Sequence, residues 1–308
     1  MIIKLLIYKI LQLLLMMAIG FVIAKCGIIK PENSEVLSKI SLYLLMPSAI
    51  INAFNFDRTN ELMIGLGLAF LTAIVIHIIF LGLDRFYIKL FGGNPAERAS
   101  IMYSNAGNLI IPIVTFVLGK EWVVYSTAYI SVQIVFLWTH GIRIFSSDTK
   151  FSIKKVLCNI NIIAIMLGVI ILLLGIRLPD FVGEITASFG DMLGPVGMLI
   201  AGILASKINF KKMFKNNRVY LVAIIRLIVY PIISLSVVKL LGNIPIANID
   251  KILFISLLAC ITPSASTVMQ FAQIKHSDAE LAAQINIFTT VCSVITIPII
   301  VYLYNILL

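Results

Sequence analysis

Apolar runs of about twenty residues follow one another along nearly the whole chain, and they constrain the fold more than any other feature. They lie at about 4–24, 34–54, 61–83, 97–118, 122–145, 155–175, 185–206, 218–241, 250–273 and 279–306. A run of this length matches the hydrocarbon thickness of a bilayer as a helix. Helix is the form expected there, because it satisfies its own backbone polar groups where no water can. Of 308 residues, 60% are hydrophobic and 12% charged, against about 45–50% and 25% in soluble domains. The predicted fold class is therefore an all-α polytopic membrane protein with ten transmembrane helices.

The net charge of +10 does not mark a nucleic-acid binder, because the basic residues lie in short connections between apolar runs and form no phosphate-gripping patch. They report orientation instead. The odd-numbered connections hold fifteen, including Lys25, Lys30, Arg85, Lys89, Arg98, Arg143, Lys150, Lys154, Lys155, Lys207, Lys211 and Lys212. The even connections and the N-terminal end hold seven: Lys4, Lys9, Arg58, Lys120, Arg177, Lys239 and Lys251. The positive-inside rule places the odd connections in the cytoplasm and both termini outside, in a bacterial inner membrane.

Four scattered cysteines, Cys26, Cys158, Cys260 and Cys292, have no metal-binding or redox spacing and read as small apolar filler. The first run has no small-residue cleavage pattern and leads straight into further runs, unlike a cleaved signal peptide. No metalloprotease, nucleophile-elbow or phosphate-loop motif is present, so no enzyme, cofactor or metal is expected.

The runs divide into two groups of five, at 1–146 and 152–308. A repeat of an odd number of spans sits upside down relative to its copy, the plan of many secondary transporters. Local echoes support it. Leu45-Met46-Pro47 recurs as Leu193-Gly194-Pro195, and the fourth and ninth runs each carry a proline, Pro112 and Pro263.

Those two runs carry the chemistry. The fourth reads Tyr103-Ser104-Asn105-Ala106-Gly107-Asn108-Leu109-Ile110-Ile111-Pro112. Pro112 lacks an N–H and disfavours helix before it, and Asn105 and Asn108 can bond freed backbone or a ligand. The ninth reads Thr262-Pro263-Ser264-Ala265-Ser266-Thr267. If both helices break, two half-helix N-termini meet, each with unsatisfied N–H groups and about +0.5 of a charge. That arrangement attracts an anion without a lysine. The alternative is a pair of ordinary proline kinks. The expected substrate-binding set is Asn105, Asn108, Pro112, Thr262, Pro263, Ser264, Ser266 and Thr267.

Ionisable groups within spans are costly and point to function. Arg226 is expected to hold a carboxylate or pair with Asp191, and His77 is a proton-site candidate. Gln133 and His140 lie in the fifth run; Gln284 and Asn286, in the tenth, are expected to bond between helices. Gly65, Gly67, Gly194, Gly197 and Gly202 are expected at close helix contacts.

The order of these features resembles the auxin efflux carrier family, which includes the plant PIN proteins and bacterial malate and malonate permeases. The resemblance rests on Leu45 to Ala49, Asn105 to Pro112, Pro263, the stretch Ala272 to Leu281, and Ile297-Pro298. It covers essentially the whole chain. It implies a fold similar to bile-acid sodium symporters, with helices 1, 2, 6 and 7 as scaffold and 3–5 and 8–10 as transport domain. It further implies that the fourth and ninth helices cross at Pro112 and Pro263, that Asn105 lies at the substrate site, and that the protein is a homodimer working by an elevator motion. The long central hydrophilic loop of plant PINs is missing. The expected function is secondary transport of a small organic anion such as malate, malonate or an auxin-like acid; the alternative is a membrane sensor binding a lipid or metabolite. No acidic residue lies near the two prolines, which argues against sodium coupling.

Overall fold

The computed structural model describes residues 2–145, 154 and 157–307. The expected division between the halves, with Lys150 and Lys155, lies outside the described residues. Among the described residues, ten longer helical units follow in order: α1 (Ile2–Lys25), α2 (Pro31–Ala53), α3 (Asn60–Phe91), α4, α5 (Val123–Phe145), α6 (Ile160–Leu174), α7 (Asp180–Ala205), α8 (Asn217–Leu241), α9 and α10 (Ala279–Leu307). Units α4 and α9 are each two half-helices: α4a (Pro95–Met102) with α4b (Ala106–Val117), and α9a (Ile249–Ile261) with α9b (Ser266–Ile274). Among the described residues, seven helices are long and apolar enough to cross a membrane: α1, α2, α3, α5, α7, α8 and α10. Helix α6 is apolar but has only 15 residues, and α4 and α9 fall short because they break.

Local chemistry explains the ends. The Thr59 hydroxyl accepts from Leu62 N–H to start α3, and Gly92, at φ 69°, ends it. Asn94 and Glu97 form a reciprocal capping box that starts α4a, satisfying two orphan N–H groups. Helix α3 runs eight residues beyond its expected end at 83, through Asp84. That is tolerated because the Asp84 carboxylate receives Arg98 of α4a through Nε at 3.0 Å and Nη2 at 2.7 Å. Among the described residues, three helices carry a π turn: Ser41–Leu45 in α2, Leu137–Gly141 in α5 and Ile225–Val229 in α8. In α2 and α8 a proline, Pro47 or Pro231, is the second residue after the π turn. Its missing N–H removes one rung of the regular ladder.

The packing has internal two-fold character. Helix α1 lies along α7 and α6 along α2; α3 packs on α5 and α8 on α10; α9b meets α2 and α4b meets α7. Exchanging each helix of the first five with the one five places later turns every contact into another in that set. Two ion pairs share the relation. Glu32, at the start of α2, meets Lys207 after α7, and Asp57, after α2, meets Arg177 before α7. Both pairs are exposed. The Arg177 guanidinium, hydrogen-bonded to Asp57, holds that carboxyl below its ordinary range.

Helices α1 and α7 approach backbone to backbone. A Cβ on Gly202 would strike the main chain of Met17 and Phe21, and one on Gly20 that of Leu199. Only glycine allows such an approach. Gly65 lies against the Tyr125 ring, but Gly67 faces open space, so the expected close contact there is not made. The outer face of α3, with Ile64, Leu71, Ile74 and Ile78 all more than 40% exposed, presents the apolar stripe that a lipid-facing helix requires.

Candidate functional site

The breaks in α4 and α9 cross in the interior of the bundle. Asn105 N–H donates to Pro263 O at 2.8 Å, and Ala265 N–H donates to Tyr103 O at 3.0 Å. The two extended stretches thus form a minimal antiparallel bridge centred on Ser104 and Ser264. This corrects one expectation. The fourth helix does not break or cross at Pro112; it breaks at Tyr103–Asn105, and the backbone through residue 112 is helical. The break sits where partners exist for the released backbone groups. A proline alone supplies none.

Those partners are side chains of the last helix of each half. From α5, Gln133 Oε1 accepts from Ser104 N–H at 3.0 Å and from Ser104 Oγ at 2.6 Å, while Gln133 Nε2 donates to Ser104 O at 2.8 Å. From α10, Asn286 Nδ2 donates to Ser264 O at 2.6 Å, and Thr289 Oγ1 accepts from Ser264 N–H at 3.2 Å. Asn286 therefore reaches the crossing, whereas Gln284 donates to Glu280, one turn away in its own helix. Buried backbone groups require such partners, so the irregular segments are built features of the interior.

A cleft opens beside the crossing. Its empty volume is about 710 Å³, open solvent at its mouth included. One wall is α2 with Leu193 of α7; the other is the crossing and α5. Asn105, Ser266 and Thr267 of the expected set line it, with Ser104, Gly107, Ser131, Gln133 and Gln270. Ser266 Oγ reaches Asn105 Oδ1 at 3.5 Å, tying the two half-helix starts together. No charged side chain is among the described lining residues. Thr262, Pro263 and Ser264 are buried and build the crossing instead of lining the cleft. The side chains of Asn108 and Pro112 lie outside the described ones. The first N–H groups of α4b and α9b have no partner within their own helices, and the residues carrying them, Gly107, Ser266 and Thr267, line the cleft.

Arg226 stands behind the crossing. It is fully buried in the π turn of α8. Nε donates to Thr262 O at 3.1 Å, Nη1 to Ile101 O at 3.1 Å, and Nη2 to Thr262 O at 2.8 Å and to Cys260 O. It thus neither lines the cleft nor meets Asp191. Asp191 is exposed in a second opening of about 1140 Å³, with Lys9, Gln12 and Asn52, which adjoins the first at Ala49, Ala53, Gly107 and Ile111. His77 is fully buried; Nδ1 lies 2.7 Å from Ala73 O, one turn back, and the ring stacks on Phe136. A polar chain also reaches the crossing from the end of α3. Asp84 binds Arg98 and approaches His140 Nε2 at 3.4 Å, and His140 Nδ1 lies 3.0 Å from the Tyr103 hydroxyl.

The polarity of Gln133, Thr289 and Arg226 within apolar runs was visible in the sequence. Their targets were not, because each reaches backbone at least 25 residues away. Among the described residues no cluster of His, Cys, Asp and Glu is able to hold a metal ion.

A family model described as membrane transport protein matches the chain twice, over residues 5–151 and 148–301. No curated protein matches it. The chain belongs to this family, that of the auxin efflux carriers, as a multi-pass integral membrane transporter.

Proposed function

We propose that this transporter carries a small organic carboxylate, bound where α4 and α9 cross. The observation that carries the reading is the convergence of two half-helix N-termini on one cleft whose described lining holds no charged side chain. Helix N-termini favour negative charge through their free N–H groups and dipoles. The apolar wall from Met46 and Ile50 of α2 and Phe54 just after it suits the carbon skeleton of such an acid. Asn105, Ser266 and Thr267 supply hydrogen bonds to its oxygens. Malate, malonate and indole-type acids all fit this description.

Alternating access then follows from a slide of α3–α5 with α8–α10 against α1, α2, α6 and α7. The cleft lies on the seam between these groups, so such a slide carries one wall and the crossing together. The same reading takes the protein as a homodimer in a bacterial inner membrane with both termini outside.

The test is charge movement in proteoliposomes when malate, malonate and an indole-type carboxylate are added in turn at two pH values. A current for one of them, lost in Asn105→Ala, supports the reading. Radiolabelled counterflow covers electroneutral exchange. Silence in both assays for folded protein overturns the carboxylate assignment.

A further inference from the structure

The last carbonyls of α4a and α9a point at one place. Ile101 O belongs to the final turn of α4a, Cys260 O to the final turn of α9a, and Thr262 O to the residue just after it. Carbonyls at the ends of a helix have no intrahelical partner. Each helix C-terminus carries about −0.5 of a charge. Such ends, converging at a helix break, are where secondary transporters coordinate a coupling cation.

In this chain that place is filled by the protein itself. The Arg226 guanidinium is fully buried and donates four hydrogen bonds to those three carbonyls. An arginine stays protonated in proteins, so the group is a permanent cation. Among the described residues no carboxylate lies within ion-pair distance of it. Two half-charges of helix dipole thus face one full positive charge, and the sum is close to neutral. A buried charge without a carboxylate persists only where such partners replace water.

We infer that Arg226 is a tethered cation that occupies the cation site of the crossing, so that the transport cycle proceeds with no bound alkali ion. The inference rests on the crossing and on the family's transport role, and not on the identity of the cargo. It assigns the two sides of the crossing different tasks. The C-terminal ends are neutralised by α8, and the N-terminal ends are left to the substrate.

The experiment is thermal unfolding of the purified protein in detergent, at equal ionic strength, in sodium, potassium or choline chloride. The wild-type protein should unfold at one temperature in all three. Arg226→Ala should unfold at a lower temperature in choline and recover, saturably, with millimolar guanidinium or sodium, neither of which should shift the wild type. Arg226→Lys and Arg226→Gln form a second comparison for the case in which the alanine variant does not purify. Lysine keeps the charge and should stay closer to wild type than glutamine. Sodium-specific stabilisation of the wild-type protein overturns the inference. So does an alanine variant that no cation restores, or equal loss in the lysine and glutamine variants. No arm uses a cargo molecule, so this inference and the carboxylate reading fail independently.

Discussion

Gln133 and Ser104 form a closed pair across the first break: the amide of Gln133 takes the Ser104 N–H and hydroxyl and returns a hydrogen bond to the Ser104 carbonyl. The glutamine stands in for the helical neighbours that Ser104 has lost. Gln133→Leu strands a buried N–H and a buried C=O, at about 1–3 kcal/mol each. Asn286→Leu strands one carbonyl at the second break, since Thr289 still serves Ser264 N–H. Thermal unfolding should therefore show a larger drop for Gln133→Leu than for Asn286→Leu.

Asn105→Ala should separate binding from folding. The backbone N–H that bonds Pro263 O is kept in the variant, so the bridge between α4 and α9 survives. What goes is a side-chain amide at the cleft wall, with its long contact to Ser266 at 3.5 Å. The expected result is about a tenfold or greater loss of substrate affinity, the equivalent of roughly 1.4 kcal/mol, with a melting temperature near wild type. A variant that binds as well as wild type would remove Asn105 from the site.

Glycine substitutions should divide sharply. Gly202→Val puts a branched side chain into the main chain of α1 at Met17 and Phe21 and should prevent the α1–α7 contact, read as loss of monodisperse protein in size-exclusion chromatography. Gly67→Ala meets open space and gains about 0.5–1 kcal/mol of helix propensity. It should hold or raise the melting temperature.

The two kinds of ion pair predict different responses. Asp84 is 4% exposed and bound by Arg98 through two nitrogens. Asp84→Asn leaves that guanidinium with a neutral partner, and breaking a buried pair costs about 3–5 kcal/mol; partial exposure of Arg98 places the expectation at the lower end. Asp57→Asn removes half of an exposed pair and should leave the melting temperature unchanged. Because Arg177 lowers the Asp57 carboxyl, any stabilisation from that pair is present above the ordinary carboxylate range. It is lost as pH falls through the depressed value. In a pH series, any small difference between wild type and Asp57→Asn should therefore lie above the carboxylate range and vanish on the acid side, where Asp57 is protonated and the pair is gone.

Much of this protein is legible in one dimension. The apolar runs determine a helical membrane protein, because lipid offers backbone groups no other partner. The five-plus-five order and the polar stretches at 103–108 and 262–267 mark where the helices fail. Asn105, Ser266 and Thr267 were identifiable as cleft residues because polar groups are expensive in a span unless used. Only the tertiary structure decided which backbone segment gives way and what each buried polar group serves. Pro112 looked like the breaking point, yet the chain breaks at Tyr103–Asn105, where Gln133 and the α9 strand supply hydrogen bonds. Arg226 looked like a ligand for an acid and instead joins the ends of two half-helices. Both outcomes turn on pairing between residues far apart in the chain, and such pairing depends on distances in space that no local pattern encodes.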